Sequence, residues 1–520
     1  MNRLCLALLL LSLVGRLAAQ ETRPQQPRTD TINADVEHQV IENFGASDCW
    51  SMQKLGLWST AAKEHVADLL FSQTKGIGLS CWRFNIGGGI NPQIGNPWRT
   101  VETFEVAQGK YDWTRQAGES WFLAAAKARG VPQFLAFVNS PPGRMTRNGI
   151  TFTTKGLGTT NLKPGFEGQY AQYLVDILDH FRNNPNQSER ILFDYISPLN
   201  EPQGEWDTTK QEGTRASNDD IKRVTVELAA RLKARKLPTQ IALIESSRIA
   251  NVYSLNEDMT KAYGVNYGNY MDEFLGDKTI SPLLSGRFLY HDYGSEVLDK
   301  TLLEWRRLLR RKMDQYPGWK FWMSEWCCPA VTSADGTAVR GRDLTMNTAL
   351  IVARVMHLDL TMNNVSAWQW WLGATNVNTN DGLVYTDYQK PGDPETVLPS
   401  RLLWSMGNYS RFVRPGMRRI ELSGVEDDIR GLMRSAYKDE AARRIVAVYT
   451  NIGAEPRRVT LNFHLGKRAW RLQSITPYIT SDRDGDELKA YPPAPAGEPF
   501  EIPARSVVTL VAQFAAGQAK

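Results

Sequence analysis

The strongest constraint on this chain is a repeated alternation. Between residues 44 and 406, short apolar runs and amphipathic helical stretches take turns eight times. The apolar runs begin near Phe44, Ile77, Val131, Ile191, Ile241, Phe288, Phe321 and Val365. Seven helical stretches separate them, and an interrupted eighth spans 396–406. In the stretch 60–73, for example, Val66, Leu69 and Leu70 fall on one face at helical spacing. Repetition of this kind demands a parallel sheet covered by helices, and eight units predict closure into an α/β fold of the (β/α)8 TIM barrel type over residues 43–411. A doubly wound nucleotide-binding sheet is the competing architecture. Gly87, Gly88 and Gly89 follow the second run, but they lack the GxGxxG spacing and acidic partner of a dinucleotide fingerprint. They read as a turn near the barrel mouth.

From about residue 412 the texture changes. Short β-like runs separated by Gly, Pro and charged turns predict an attached antiparallel β-sandwich domain over 412–520. The weakly alternating stretch 31–42 is assigned to the same domain, because chain ends often meet. Residues 21–30 are polar and rich in Pro and Gln, and read as a flexible lead-in. Residues 1–20 carry Arg3, an apolar run from Leu4 to Val14 and small residues at Ala18 and Ala19, the pattern of a signal peptide. The mature chain is therefore expected to be exported, periplasmic or secreted, and without a membrane span, since no later apolar run approaches the necessary length.

Beyond Cys5 the cysteines are Cys49, Cys81, Cys327 and Cys328, with no CxxC and only six histidines in the chain. That pattern argues against a structural zinc, and its spacing fixes no disulfide pairing. The net charge of +5 on 520 residues gives no reason to expect nucleic acid. Arg306, Arg307, Arg310, Arg311 and Lys312 cluster, but among leucines at helical spacing, and read as a solvated helix face.

Two of the apolar runs end in an acid. Tyr195-Ile196-Ser197-Pro198-Leu199-Asn200-Glu201-Pro202 closes the fourth, and Lys320-Phe321-Trp322-Met323-Ser324-Glu325-Trp326 the seventh. A carboxylate just beyond a buried strand is costly unless it is paired or used. In a barrel both ends belong to one rim, where active sites form. Two facing carboxyls, one protonated and one ionised, are what cleavage of a glycosidic bond requires. A separation near 5–5.5 Å implies direct attack and retention, and one of roughly 6.5–9.5 Å implies an activated water and inversion. Sequence spacing alone does not choose between them.

Other rim residues fit supporting roles. Asn200 is placed to bond a sugar 2-hydroxyl, and Arg83, ending the second strand, to hold Glu325 ionised. Asp48 and Trp50 after the first strand and Asn139 after the third complete the expected substrate-binding set with Tyr290, His291 and Trp371. Tyr290 or His291, ending the sixth strand, would touch the nucleophile. Trp371 is the stacking platform, since strict alternation turns Trp368 and Trp370 to the opposite face.

Six segments in order carry a resemblance: NFGASDCW at 43–50, CWRFNIGGG at 81–89, FVNSPPGRM at 137–145, SPLNEPQGEW at 197–206, YHDYG at 290–294 and WMSEW at 322–326. Together they resemble glycoside hydrolase family 30, within the large clan of retaining (β/α)8 glycosidases. The resemblance implies Glu201 as acid/base, Glu325 as nucleophile and a covalent glycosyl-enzyme intermediate, with no cofactor and no metal. It is closest to the bacterial branch that includes endo-β-1,6-galactanases acting on arabinogalactan side chains, although Gly45-Ala46 stands where the family more often has two glycines. Other branches act on β-1,6-glucan, glucuronoxylan or glucosylceramide, and a β-1,6-glucanase, a glucuronoxylanase or an exo-acting β-glycosidase of the same family is the alternative within this chemistry. The expected partner is thus a β-linked oligo- or polysaccharide. A catalytically inactive carbohydrate-binding homologue is the alternative of another class. An esterase is disfavoured because no GxSxG elbow is present.

Overall fold

The computed structural model describes residues 27–328, 330–332, 338–423, 428–495 and 497–517. The segment read as a signal peptide lies outside these residues.

After a first strand, β1 (Arg28–Val40), eight parallel strands follow: β2 (Asn43–Ser47), β3 (Cys81–Asn85), β4 (Gln133–Phe137), β5 (Tyr195–Ser197), β6 (Gln240–Ser246), β7 (Leu284–His291), β8 (Lys320–Glu325) and β9 (Ala367–Thr375). Neighbours in sequence are neighbours in the sheet, and β9 pairs with both β8 and β2, closing the barrel. Strands buried on both faces read as continuous apolar runs rather than alternating ones, which is why the runs were legible and their ends were not. Several runs overshoot: the second run begins at Ile77, yet pairing starts only at Cys81. Helices cover the barrel at 60–71, 117–128, 167–182, 218–235, 299–313, 346–361 and 401–410. The helical stretch Glu257–Tyr263 ends where Gly264 takes a left-handed φ of 69°, and a second short helix follows at Met271–Leu275. Asp112 anchors the turn at Thr114, and the helix after it begins at Ala117.

Inside the barrel, Cys81, Leu135, Tyr195, Ala242, Leu289, Trp322 and Ala367 form a closed apolar plug with one residue from each of seven strands. A larger core lies between the strands and the surrounding helices. Arg306, read as part of a solvated face, is fully buried there and ties Asp292 to Asp359 at 2.5 and 2.7 Å. It occupies the inward side of the helix Asp299–Met313, where an arginine is tolerated only with acids on both sides.

The strands from Arg418 onward join β1 in a nine-stranded sheet. It is antiparallel except that β1 runs parallel to Arg457–His464. Alternation along Arg444–Asn451 sends Val446 and Val448 to the barrel-side core and Ile445, Ala447 and Tyr449 to a second core. Phe463 and Phe514, on strands far apart in the sheet order, meet at 5.3 Å in the second core, so the sheet folds back over itself as a sandwich. Asp30, read as part of the lead-in, is buried in that sheet and paired with Arg28, Arg434 and Tyr449.

Candidate active site

The chemistry sits one layer above the apolar plug. Two residues beyond Cys81, Leu289 and Trp322, strand alternation turns Arg83, His291 and Ser324 the same way, into the barrel mouth. Glu325 follows Ser324 directly and also points inward, which strict alternation forbids. A register slip between β8 and β7, after Met323, allows it by pairing Glu325 with His291.

Arg83 Nη1 donates to Glu325 Oε2 at 3.0 Å and Nη2 to Glu245 Oε1 at 3.3 Å, while its guanidinium lies 4.2 Å from the Phe137 ring centroid. His291 Nδ1 bonds Glu201 Oε1 and its Nε2 bonds Glu245 Oε2, both at 2.9 Å. Nδ1 also lies 3.5 Å from Glu325 Oε1. Ser324 donates to Glu245, and the Tyr293 hydroxyl donates to Glu325 Oε1 at 3.0 Å. One oxygen of Glu201 and one of Glu325 lie within 4.8 Å of each other, which suits direct attack rather than the wider spacing of a water-activating pair.

The charges nearly balance. Burial alone would pull the His291 imidazole down, but Glu325, Glu201 and Glu245 outweigh it and push it up to about 10, so the ring is a cation. Burial raises the Glu245 carboxyl, but Arg83, His291 and Ser324 bring it down to about 2. Burial raises Glu325, against the pull of His291 and Arg83. Two cations thus face three acids, and a neutral cluster holds one proton among them. Glu201, His291 and Glu325 also meet the spacing of a metal site. With both ring nitrogens committed as donors, however, His291 has no lone pair to offer a cation.

Backbone strain gathers at the same place. Glu201 has φ 44° and Glu245 φ 57°, a region that costs a non-glycine residue on the order of 1 kcal/mol. The Glu201 N–H donates to the Glu245 carbonyl at 3.0 Å, so the two strained turns brace each other.

A cleft of about 400 Å³ opens above this cluster, lined by Asn200, Glu201, Trp206, Glu325, Trp371 and Asp381 among others. Of the residues expected to bind substrate, Asn200 and Trp371 line it. Asn200 donates to Asn139 Oδ1, and its own Oδ1 is buried without a protein partner. The others stand behind the wall. Arg83 and His291 are fully buried and reach the cleft through the two acids. Asn139 holds Asn200, and Trp50 backs Trp371 edge-on at 5.4 Å. Asp48 is buried, with one oxygen taken by the Asn85 N–H. Tyr290 is turned away from the mouth and fully buried, so of the pair at the end of β7 it is His291 that meets the acids.

Sequence reasoning missed Glu245, Tyr293 and Trp206. Glu245 carried the signal that marked the other acids, a carboxylate at the end of an apolar run. Trp206 lies in the segment 197–206. Its indole N–H donates to the Glu201 carbonyl at 2.8 Å, and its ring is held so close to Gly204 and Gly213 that a Cβ on either would come within 2.4 Å of it.

The model of O-Glycosyl hydrolase family 30 matches residues 27–385. The chain belongs to that family. It is a retaining glycoside hydrolase built as a barrel with an attached β-domain. It is 24% identical over 507 residues to an endo-β-1,6-galactanase of Hypocrea rufa, covering 91% of this chain and 92% of the relative. Among solved structures it is similar to a conserved exported protein from Bacteroides fragilis, with a TM-score of 0.80 at 29% identity, covering 93% of this chain and 100% of the other. The catalytic domain of a family 30 xylanase from Talaromyces cellulolyticus shares the fold, with a TM-score of 0.65 at 21% identity over 93% of this chain and all of the other. Among the described residues, no helix is long and apolar enough to cross a membrane.

Proposed function

We propose that this glycoside hydrolase is an exported endo-β-1,6-galactanase acting on galactan side chains, with Glu325 as nucleophile and Glu201 as acid/base. The observation that carries the catalytic assignment is the approach of the two carboxyls within 4.8 Å, with Arg83, His291 and Tyr293 gathered on Glu325. Glu325 attacks the anomeric carbon as a carboxylate while Glu201 gives its proton to the leaving oxygen. The leaving sugar departs and an ester joins Glu325 to the retained sugar. Water then attacks the same carbon, Glu201 takes its proton back, and Glu325 is released. Net charge in the cluster stays constant throughout, because Glu201 becomes an anion as Glu325 ceases to be one. His291, within reach of both, accompanies the change without moving. Asn200 Oδ1 accepts from the 2-hydroxyl, and Trp371 carries the sugar face.

The galactan reading is supported by the identity to the Hypocrea rufa enzyme along nearly the whole chain. Export is supported by the pattern of residues 1–20 and by the similarity to the Bacteroides fragilis protein. Product analysis on β-1,6-galactan, β-1,6-glucan and glucuronoxylan oligomers tests the substrate. Internal cleavage of the galactan alone is expected, and preferred cleavage of either other polymer overturns that reading.

A further inference from the structure

In the cleft lining, Trp206 donates its indole N–H to the backbone carbonyl of Glu201, the proton donor. Trp371 on the last barrel strand, Asp381 on the loop that follows it and Arg99 on the loop that follows the second barrel strand line the same cleft. There the Arg99 Nη2 donates to Asp381 Oδ2 at 2.8 Å. Its guanidinium lies 5.2 Å from the ring centroid of Trp50, the residue that backs Trp371. A pair that merely tied two loops together would satisfy both carboxylate oxygens. Asp381 does not: its side chain is 4% exposed, and Oδ1 is buried without a well-formed hydrogen bond, the nearby Thr379 hydroxyl being likewise unpaired. The other N–H groups of Arg99 meet no acceptor among the described residues. An unused acceptor beside unused donors, at the edge of a sugar-sized cleft, fits a group that donates and accepts at once. A hydroxyl does both.

We propose that Arg99 and Asp381 recognise the hydroxyls of the sugar ring retained on Glu325, and so set which hexose epimer the cleft accepts. The inference rests on the assignment of Glu325 and Glu201 above and extends it to the far edge of the retained ring. Asp381 Oδ1 accepts a hydrogen bond from a hydroxyl while Arg99 donates to the oxygen of that hydroxyl or its neighbour. Epimers that differ in one hydroxyl direction lose both contacts together, leaving a buried carboxylate oxygen unpaired. Discrimination built on polar pairing is for that reason steeper than discrimination by shape.

The test is the rate of covalent labelling by 2-deoxy-2-fluoro-β-galactosyl fluoride and its gluco epimer, followed by intact mass on wild type, Asp381→Ala and Arg99→Ala. Wild type is expected to prefer one epimer. Each variant is expected to label about 10- to 100-fold more slowly with that epimer and to lose the preference. Asp381→Asn, which keeps an acceptor in place, is expected to retain part of the preference and serves if the alanine variant does not fold. Variants that keep the wild-type preference overturn this inference and leave the glycosidase assignment standing. Failure of both reagents to label wild type overturns that assignment, and this inference with it.

Discussion

Two trios of buried carboxyls lie within this one barrel, and they are built on opposite principles. Glu201, Glu245 and Glu325 surround Arg83 and His291, so two of their three possible charges are balanced by cations. Asp48, Glu119 and Glu212 lie behind the cleft wall with no ion pair among the described residues, bonded only by neutral donors such as Asn85, Trp50 and Gln116. Burial pushes Asp48 up to about 8 and Glu212 up to about 7, and drives Glu119 well above its ordinary value. Each of these three also keeps one buried oxygen without a partner, as a protonated carboxyl can. The same residue types at the same depth are therefore charged or neutral according to whether a cation was built beside them.

The sharpest way to break this contrast is Arg83→Met, which leaves Glu245 and Glu325 without their shared cation. Breaking a buried pair from one side should cost about 3–5 kcal/mol in denaturant unfolding, together with most of the activity. Glu245→Gln is a smaller intrusion. It removes the anion that holds Arg83 and His291 in place, and kcat should fall roughly 100-fold while the fold survives. Tyr293→Phe removes a single donor from Glu325, and a loss of about 10-fold in kcat is expected.

The second trio answers to pH instead. Glu212 binds its proton more tightly folded, at about 7, than at its ordinary 4.5. The folded state therefore holds more protons between those values, and this group makes stability fall as pH rises from 4.5 to 7. Glu212→Gln should remove that slope, on the order of 1 kcal/mol per pH unit, in unfolding measured across that window. Glu245 behaves the other way. With its carboxyl at about 2, the stability it contributes is complete above its ordinary 4.5 and is lost only as pH falls toward 2.

The contrast also shows what the amino-acid sequence could and could not say. Glu201 and Glu325 stood out because each ends an apolar run, and the barrel rule then brings such ends together. Glu245 ended a run as well, but a strand-end position does not reveal a partner, and its value lies in the cations it meets. Asp48, Trp50 and Asn139 sit at the correct ends of their strands. Yet a strand end does not say whether a side chain clears the rim or lies beneath it, and these three lie beneath. Tyr293 lies beyond the last paired residue of its strand, and Arg99 and Asp381 come from loops, where no periodicity reports direction. The register slip that turns Glu325 inward is likewise invisible to alternation, which would have given that direction to Ser324 alone.

The most direct test of the central claim is the configuration of the azide product formed by two variants on an activated aryl β-glycoside. Removing the acid/base in Glu201→Ala leaves the covalent intermediate for azide to attack, and a β-glycosyl azide is expected. Removing the nucleophile in Glu325→Ala lets azide attack from the vacated face, and an α-glycosyl azide is expected. The two configurations exchanged, or neither variant rescued, would contradict the roles assigned to these two acids.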